Sequence, residues 1–188
     1  MTNALKSLNS ILLTLSAAVS LAQAQAAVPT GREAVNSAKE SVLEVTFVRC
    51  HDADTCHFKK NNGETVKVRF AGVDAPEKRK PYSKEATEFT VSKLKDKKVT
   101  LRCLGQSFDR RVCSVFVGQL DVAEDLVRSG FAWDSPKHSK GRYRQLEDEA
   151  RVAKRGLWAQ ADVQSPVCQR MKTKGAKRNC RTNPHYRE

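Results

Sequence analysis

The chain has 188 residues, 39% of them hydrophobic and 29% charged, which suits one domain with a modest core and excludes wholesale disorder. No apolar run reaches the roughly 18 residues of a membrane-spanning helix, so a polytopic membrane protein is excluded as well. With 34 Lys and Arg against 21 Asp and Glu, the net charge of +13 favours polyanions: nucleic acid first, anionic membrane surfaces next.

The N-terminus reads as an export signal. MTNALK carries one positive charge at Lys6, ILLTLSAAVSLA is a short apolar stretch, and AQAQA places small residues at alternate positions. Cleavage after Ala24 or Ala26 fits this layout; residues 1–24 are taken as the signal and 25–39 as a flexible lead-in. The expected destination is the periplasm or the medium, with no stable membrane insertion once the signal is gone. Six cysteines follow the signal, an even number that suits an oxidising compartment. Fifteen connectivities are open to six cysteines. Their grouping favours Cys50 with Cys56, Cys103 with Cys113, and Cys168 with Cys180, and the spacings match no common zinc pattern.

SVLEVTFVRC (41–50) alternates and is rich in β-branched residues, the pattern of a strand. DADT breaks it, TCHF starts a second strand, Asn61-Asn62-Gly63 signals a turn, and ETVKVRFAGV (64–73) makes a third strand. Beyond Pro76 and Pro81, Ser83 is placed to cap a helix with Ala86, Phe89, Val91 and Leu94 on one face. KKVTLRC and RRVCSVFV add two strands. DVAEDLVRSGFAW then reads as a helix stopped by Gly130. GRYRQLEDEARVAKRGLW gives a last helix, with Tyr143, Leu146, Ala150 and Ala153 inward and Gly156 ending it. Five strands and three helices predict an α+β barrel with packed helices over 40–160, an OB-type barrel being one candidate. Residues 161–188 hold seven Lys or Arg against two acids without a periodic apolar face, which fits either a solvated tail or a grip on phosphate backbone.

Chemistry concentrates in HDADT (51–55) and VRFAGVDAPE (68–77). Carboxylates converging from two loops suit a hard cation such as Ca²⁺, and an arginine beside them suits phosphate. The same residues also fit an Asx-type turn at Asp52 and Asp54 with Arg69 in a salt bridge on the barrel face. His51 and His57 flank the acidic turn and are placed on the outer face of the hairpin. Trp133 and Trp158 read as packing residues, although Trp133 or Tyr143 could stack a nucleobase.

From about Val42 to Trp158 the chain resembles the staphylococcal nuclease (thermonuclease) family. DADT stands for the family's DGDT, VRFAGVDAPE is almost intact, and SKEA, DVAEDLVRSGFAW and LEDEARVAKRGLW follow in the family's order. The resemblance implies an OB-fold five-stranded β-barrel with three packed helices, and Ca²⁺-dependent cleavage of DNA and RNA by a monomer. It implies Asp54, Asp74 and the backbone carbonyl of Ala75 as Ca²⁺ ligands, Glu77 as general base, and Arg69 as a phosphate-binding arginine. The second arginine is Arg110, or Arg111 if the loop is shortened, because FDRRVCSVFV lacks the family's Tyr-Gly; only one of two consecutive strand residues can face the phosphate. Ala53 replaces the usual glycine, which would strain a turn that needs positive φ. A non-catalytic nucleic-acid-binding OB module is the alternative reading.

Overall fold

The computed structural model describes residues 41–161 and 163–172. The expected signal and lead-in, and Cys180 with most of the basic tail, lie outside these residues.

Five strands close into a barrel: β1 (Ser41–Asp52), β2 (Thr55–Lys60), β3 (Thr65–Phe70), β5 (Lys98–Ser107) and β6 (Arg110–Val117). They run in the order β3-β2-β1-β5-β6, antiparallel throughout, and a parallel β3–β6 pairing completes the ring. The short β4 (Val73–Asp74) pairs with β8 (Trp133–Asp134), and β7 (Leu120–Asp121) extends the sheet beside β6. The period of two explains the interior. Val66, Val68 and Phe70 of β3 are buried, with Phe58 of β2, Val99 and Leu101 of β5 and Val115 of β6. Lys67 and Arg69 therefore leave β3 on its other face.

Helices α1 (Ser83–Leu94) and α2 (Val122–Arg128) pack on the barrel, and α4 (Arg144–Val152) packs against α2. Asp121 caps α2, its carboxylate accepting from the N–H groups of Ala123 and Glu124 at 3.0 and 3.3 Å. Gly130 ends α2 as expected, at φ 75°; a Cβ there would lie 2.2 Å from the Arg155 carbonyl oxygen. A second cluster joins Trp133, Ala150, Leu157 and Trp158, with the two indoles edge to face at 5.4 Å.

Three sequence expectations need correction. Ser83 does not cap α1: it lies inside the first turn, and Tyr82 precedes it in the left-handed region with no side-chain cap. Ala153 is exposed, because α4 ends at Val152 and Lys154 turns left-handed (φ 52°), so Gly156 instead opens a 3₁₀ turn (Gly156–Ala159). Two short helices, α3 (Pro136–Ser139) and α5 (Pro166–Arg170), join the three expected.

Two disulfides match the expected pairing. Cys50–Cys56 and Cys103–Cys113 each join directly paired residues of an antiparallel hairpin, β1–β2 and β5–β6. Closing such short loops stabilises by about 2–3 kcal/mol each in a chain-entropy estimate. Cys168 is also disulfide-bonded, and its expected partner Cys180 lies outside the described residues. No free cysteine remains for a zinc site among the described residues.

Candidate active site

A cleft of about 620 Å³ opens beside β3 and β4, walled by the β6 start, the α3 segment and α5. Strands, turns and one short helix deliver its charged groups.

Asp54 comes from the tight turn between β1 and β2 and is 4% exposed. Asp52 forms the expected Asx-type contact, accepting from the Asp54 N–H at 3.3 Å. Asp54 itself turns inward, where its carboxylate accepts from the Ala75 N–H at 2.6 Å and the Thr55 hydroxyl at 3.1 Å. Ala53 is buried and is not among the positive-φ residues, so replacing glycine here causes no left-handed strain. Its carbonyl accepts from the Thr90 hydroxyl of α1 at 2.8 Å, which ties the turn to the helix. Thr90 was invisible as a site-supporting residue because a threonine in a helix reads as neutral surface.

Arg69 reaches both acids. One guanidinium nitrogen pairs with Asp54 Oδ2, and the other with Asp74 Oδ1 while also donating to the Val73 carbonyl at 3.0 Å. Burial lowers the pKa of Arg69, and nearby Arg110 adds to that; Asp74 and Asp52 oppose the shift. Two carboxylates closing on one positive group mark a place where positive charge is held by hard oxygens. Among the described residues no three His, Cys, Asp or Glu side chains group in a metal-holding geometry. The chemistry of Asp54 and Asp74, two carboxylates converging from separate segments, nevertheless fits a hard, oxygen-seeking cation.

Glu77 sits at the cleft edge with Arg110 on the wall, and alternation along β6 settles the geometry of the paired arginines. Arg110 lines the cleft with Val112, whereas Arg111 points away to donate to the Ser41 hydroxyl at 2.9 Å. Trp133 and Tyr143 are 3% and 2% exposed, which removes both as base-stacking surfaces. His51 and His57 do not line the cleft; burial, then Arg49 and Lys67, lower the pKa of His57.

Besides Thr90, two residues of the cleft wall were missed by sequence reasoning. Arg170 of α5 donates to Glu77 Oε1 at 2.7 Å and to the two oxygens of Asp74 at 3.4 and 3.1 Å. Burial would lower the pKa of Arg170, but hydrogen bonds and charge from Asp74 and Glu77 outweigh it and raise it overall. Gln169 accepts from the Glu77 N–H at 3.0 Å. The described part of the expected tail is therefore a wall of the cleft. Its one sequence signal is Cys168, an anchor in an otherwise aperiodic stretch.

The profile of the staphylococcal nuclease homologue family matches residues 67–160. The chain belongs to the staphylococcal nuclease family. It is 35% identical over 101 residues to a rice protein (Oryza sativa subsp. japonica) named probable staphylococcal-like nuclease CAN4, covering 53% of this chain and 20% of that one. Identity to a Komagataella phaffii protein named probable endonuclease LCL3 is 34% over 119 residues, covering 54% and 52%. A protein of Escherichia coli O157:H7 named uncharacterized endonuclease is 31% identical over 122 residues, covering 63% and 79%. The match thus spans a fifth of the rice staphylococcal-like nuclease and about half of the yeast protein. Arg69, Asp74, Glu77 and Arg110 fall inside the matched profile, while Asp54 precedes it and Arg170 follows it.

Proposed function

We propose that this staphylococcal nuclease family member is an exported, Ca²⁺-dependent nuclease that hydrolyses phosphodiester bonds of DNA and RNA with little sequence specificity. The observation that carries the proposal is the meeting of Asp54, Arg69 and Asp74, from three separate segments, in one cleft that also holds Glu77 and Arg110. The nuclease and endonuclease names of the relatives agree with it.

Asp54, Asp74 and the Ala75 carbonyl are the groups that would hold Ca²⁺. When bound, Ca²⁺ supplies charge neutralisation and polarises a phosphate oxygen. Glu77 takes the proton of the attacking water as its oxygen bonds to phosphorus, and the opposite phosphorus–oxygen bond breaks in line, the leaving oxygen taking a proton from solvent. Arg69 and Arg110 hold the phosphate oxygens and stabilise the added negative charge as the transition state forms. Neither arginine needs a base edge, so sequence is read weakly. The net charge of +13 draws the polyanion in. Residues 1–24 direct export, 25–39 form the lead-in, 40–160 the catalytic domain and 161–188 the basic segment, acting as a monomer. The disulfides fit an oxidising destination, periplasm or medium. Among the described residues no helix is long and apolar enough to cross a membrane.

The test incubates the oxidised protein with single-stranded DNA and RNA, with Ca²⁺ or with a chelator, beside Glu77→Gln. Cleavage should require Ca²⁺ and fall about 100- to 10,000-fold in the variant. Salt-sensitive binding with no cleavage under any divalent ion would instead establish the non-catalytic binding module.

A further inference from the structure

The guanidinium of Arg170 reaches the cleft from the far end of the described chain, 93 and 96 residues from the acids it contacts. We infer that Arg170 is a third arginine of this site: it occupies Asp74 and Glu77 while no cation is bound, and turns to the substrate phosphate when Asp74 serves a divalent cation. The inference rests on the Ca²⁺-dependent nuclease reading and names a coupling within that site.

The oxygen atoms of Asp74 carry the first step. Oδ1 accepts from Arg69 and from Arg170 Nη1, and Oδ2 accepts from Arg170 Nη2 at 3.1 Å. Both oxygens are thus engaged. A hard cation at Asp74 would put a third positive centre on a carboxylate that already serves two guanidiniums, and the added repulsion weakens its hold on the fork of Arg170. Glu77 Oε1 is held by Arg170 Nη1 at 2.7 Å, a pairing that makes the carboxylate a weaker proton acceptor while it lasts.

Which arginine yields follows from how each is held. Arg69 grows from a barrel strand, is 19% exposed in its side chain, and keeps the Val73 carbonyl as a partner whatever happens to Asp74. Arg170 stands on a five-residue helix with its side chain 46% exposed. Loss of its carboxylates leaves it facing the cleft and water, so Arg170 is the one that moves.

It does not move far. Pro166 and Cys168 of α5 are buried, Cys168 is disulfide-bonded, and Gln169 joins the Glu77 N–H at 3.0 Å to the Gln164 carbonyl at 2.8 Å. The backbone stays on the cleft wall while the side chain changes partner. A planar fork at that position can take two phosphate oxygens. Cation and phosphate therefore help each other: the cation releases Arg170 to the phosphate, and the phosphate draws Arg170 off Asp74. Linkage makes the two enhancements equal.

The experiment is calorimetric titration of the full oxidised protein with Ca²⁺, without and with thymidine 5′-monophosphate, which has no diester to cleave. Without nucleotide, Arg170→Ala should bind Ca²⁺ about 5-fold or more tightly than the natural protein, with Arg170→Lys between them. Gln169→Ala, which loosens α5 but keeps the guanidinium, should shift Ca²⁺ affinity the same way by less. The factor by which nucleotide enhances Ca²⁺ binding should shrink about 5-fold in Arg170→Ala. Circular dichroism confirms folding in each case. Unchanged or weaker Ca²⁺ binding in a folded Arg170→Ala, or an undiminished coupling factor, overturns the inference and leaves the nuclease reading standing. Absence of Ca²⁺ binding in every form overturns both.

Discussion

The floor and the rim of the cleft are built on different terms. Asp54, Arg69 and Asp74 of the floor stand on the β1–β2 turn, the barrel strand β3 and the short strand β4, are mostly buried, and hold one another in ion pairs. Glu77, Arg110 and Arg170 of the rim stand on a loop, a strand end and a five-residue helix. Floor positions come with the fold, since the β2–β3 and β3–β6 registers leave Arg69 one outward direction. Rim positions depend on segments that can shift while the barrel stays closed. Stability and chemistry should therefore be coupled in the floor and separable in the rim.

The largest effect is expected at Arg69. Arg69→Ala leaves the buried Asp54 without its counter-charge and Asp74 with Arg170 alone, a loss of about 3 kcal/mol. Urea unfolding should show that loss, and cleavage should fall about 100- to 1000-fold. Because the variant keeps Asp54 and Asp74, Ca²⁺ should restore part of the stability and none of the lost phosphate contact. A variant as stable as the natural protein in chelator would show that the floor acids are not held together by Arg69. Arg110→Ala is the rim counterpart. Cleavage should drop about 100-fold while stability changes by about 0.5 kcal/mol or less. Arg111→Ala, which loses only its contact with Ser41, should cleave nearly as well as the natural protein. Equal losses at 110 and 111 would erase the assignment made from the β6 alternation.

The two hairpin disulfides sharpen the contrast further. Each closes its hairpin at a directly paired position, yet Cys50–Cys56 holds the turn that carries Asp54, whereas Cys103–Cys113 lies farther from the turn of its hairpin than Arg110, which pairs with Ser107. Double alanine variants should each lose about 2–3 kcal/mol. Only the Cys50/Cys56 pair should weaken Ca²⁺ affinity, by about threefold, a small shift because Thr90 still holds the Ala53 carbonyl. Equal Ca²⁺ affinity in the two variants would assign the turn to α1 alone.

The same division governs what could be read from the chain. VRFAGVDAPE carries Arg69, Asp74 and Glu77 within one strand and its following loop, so local alternation and family resemblance both reach the floor. Both hairpin disulfides were legible because their cysteines are close in sequence and flank turn signals. Arg170 was not, since its partners lie more than 90 residues away and nothing periodic marks the segment. Trp133 and Tyr143 were open as stacking residues because burial of a large aromatic depends on tertiary packing, here against the α4 segment and under α2. Glu147 shows the same limit from the other side. A glutamate amid LEDEAR reads as solvated, yet it is 1% exposed.

Glu147 also ties the floor to α4 and yields the smallest predicted effect. Its Oε2 accepts from the Asp134 N–H at 2.6 Å, and β8, which contains Asp134, pairs with β4 so that Trp133 lies opposite Asp74. Burial raises the Glu147 pKa; Arg151 pulls it down, but by less. A carboxyl whose pKa is higher folded than unfolded binds its proton more tightly in the native state. Its contribution to stability is therefore complete below the ordinary value of 4.5 and is lost as pH rises through the raised folded value. Glu147→Gln keeps an oxygen for the Asp134 N–H and removes the titration. Its unfolding free energy, compared with the natural protein at steps from pH 4 upward, should gain steadily above about pH 4.5 and then level off. Parallel pH curves for the two proteins would mean that Arg151 fully offsets the burial of Glu147, and that the support beneath Asp74 is indifferent to its charge.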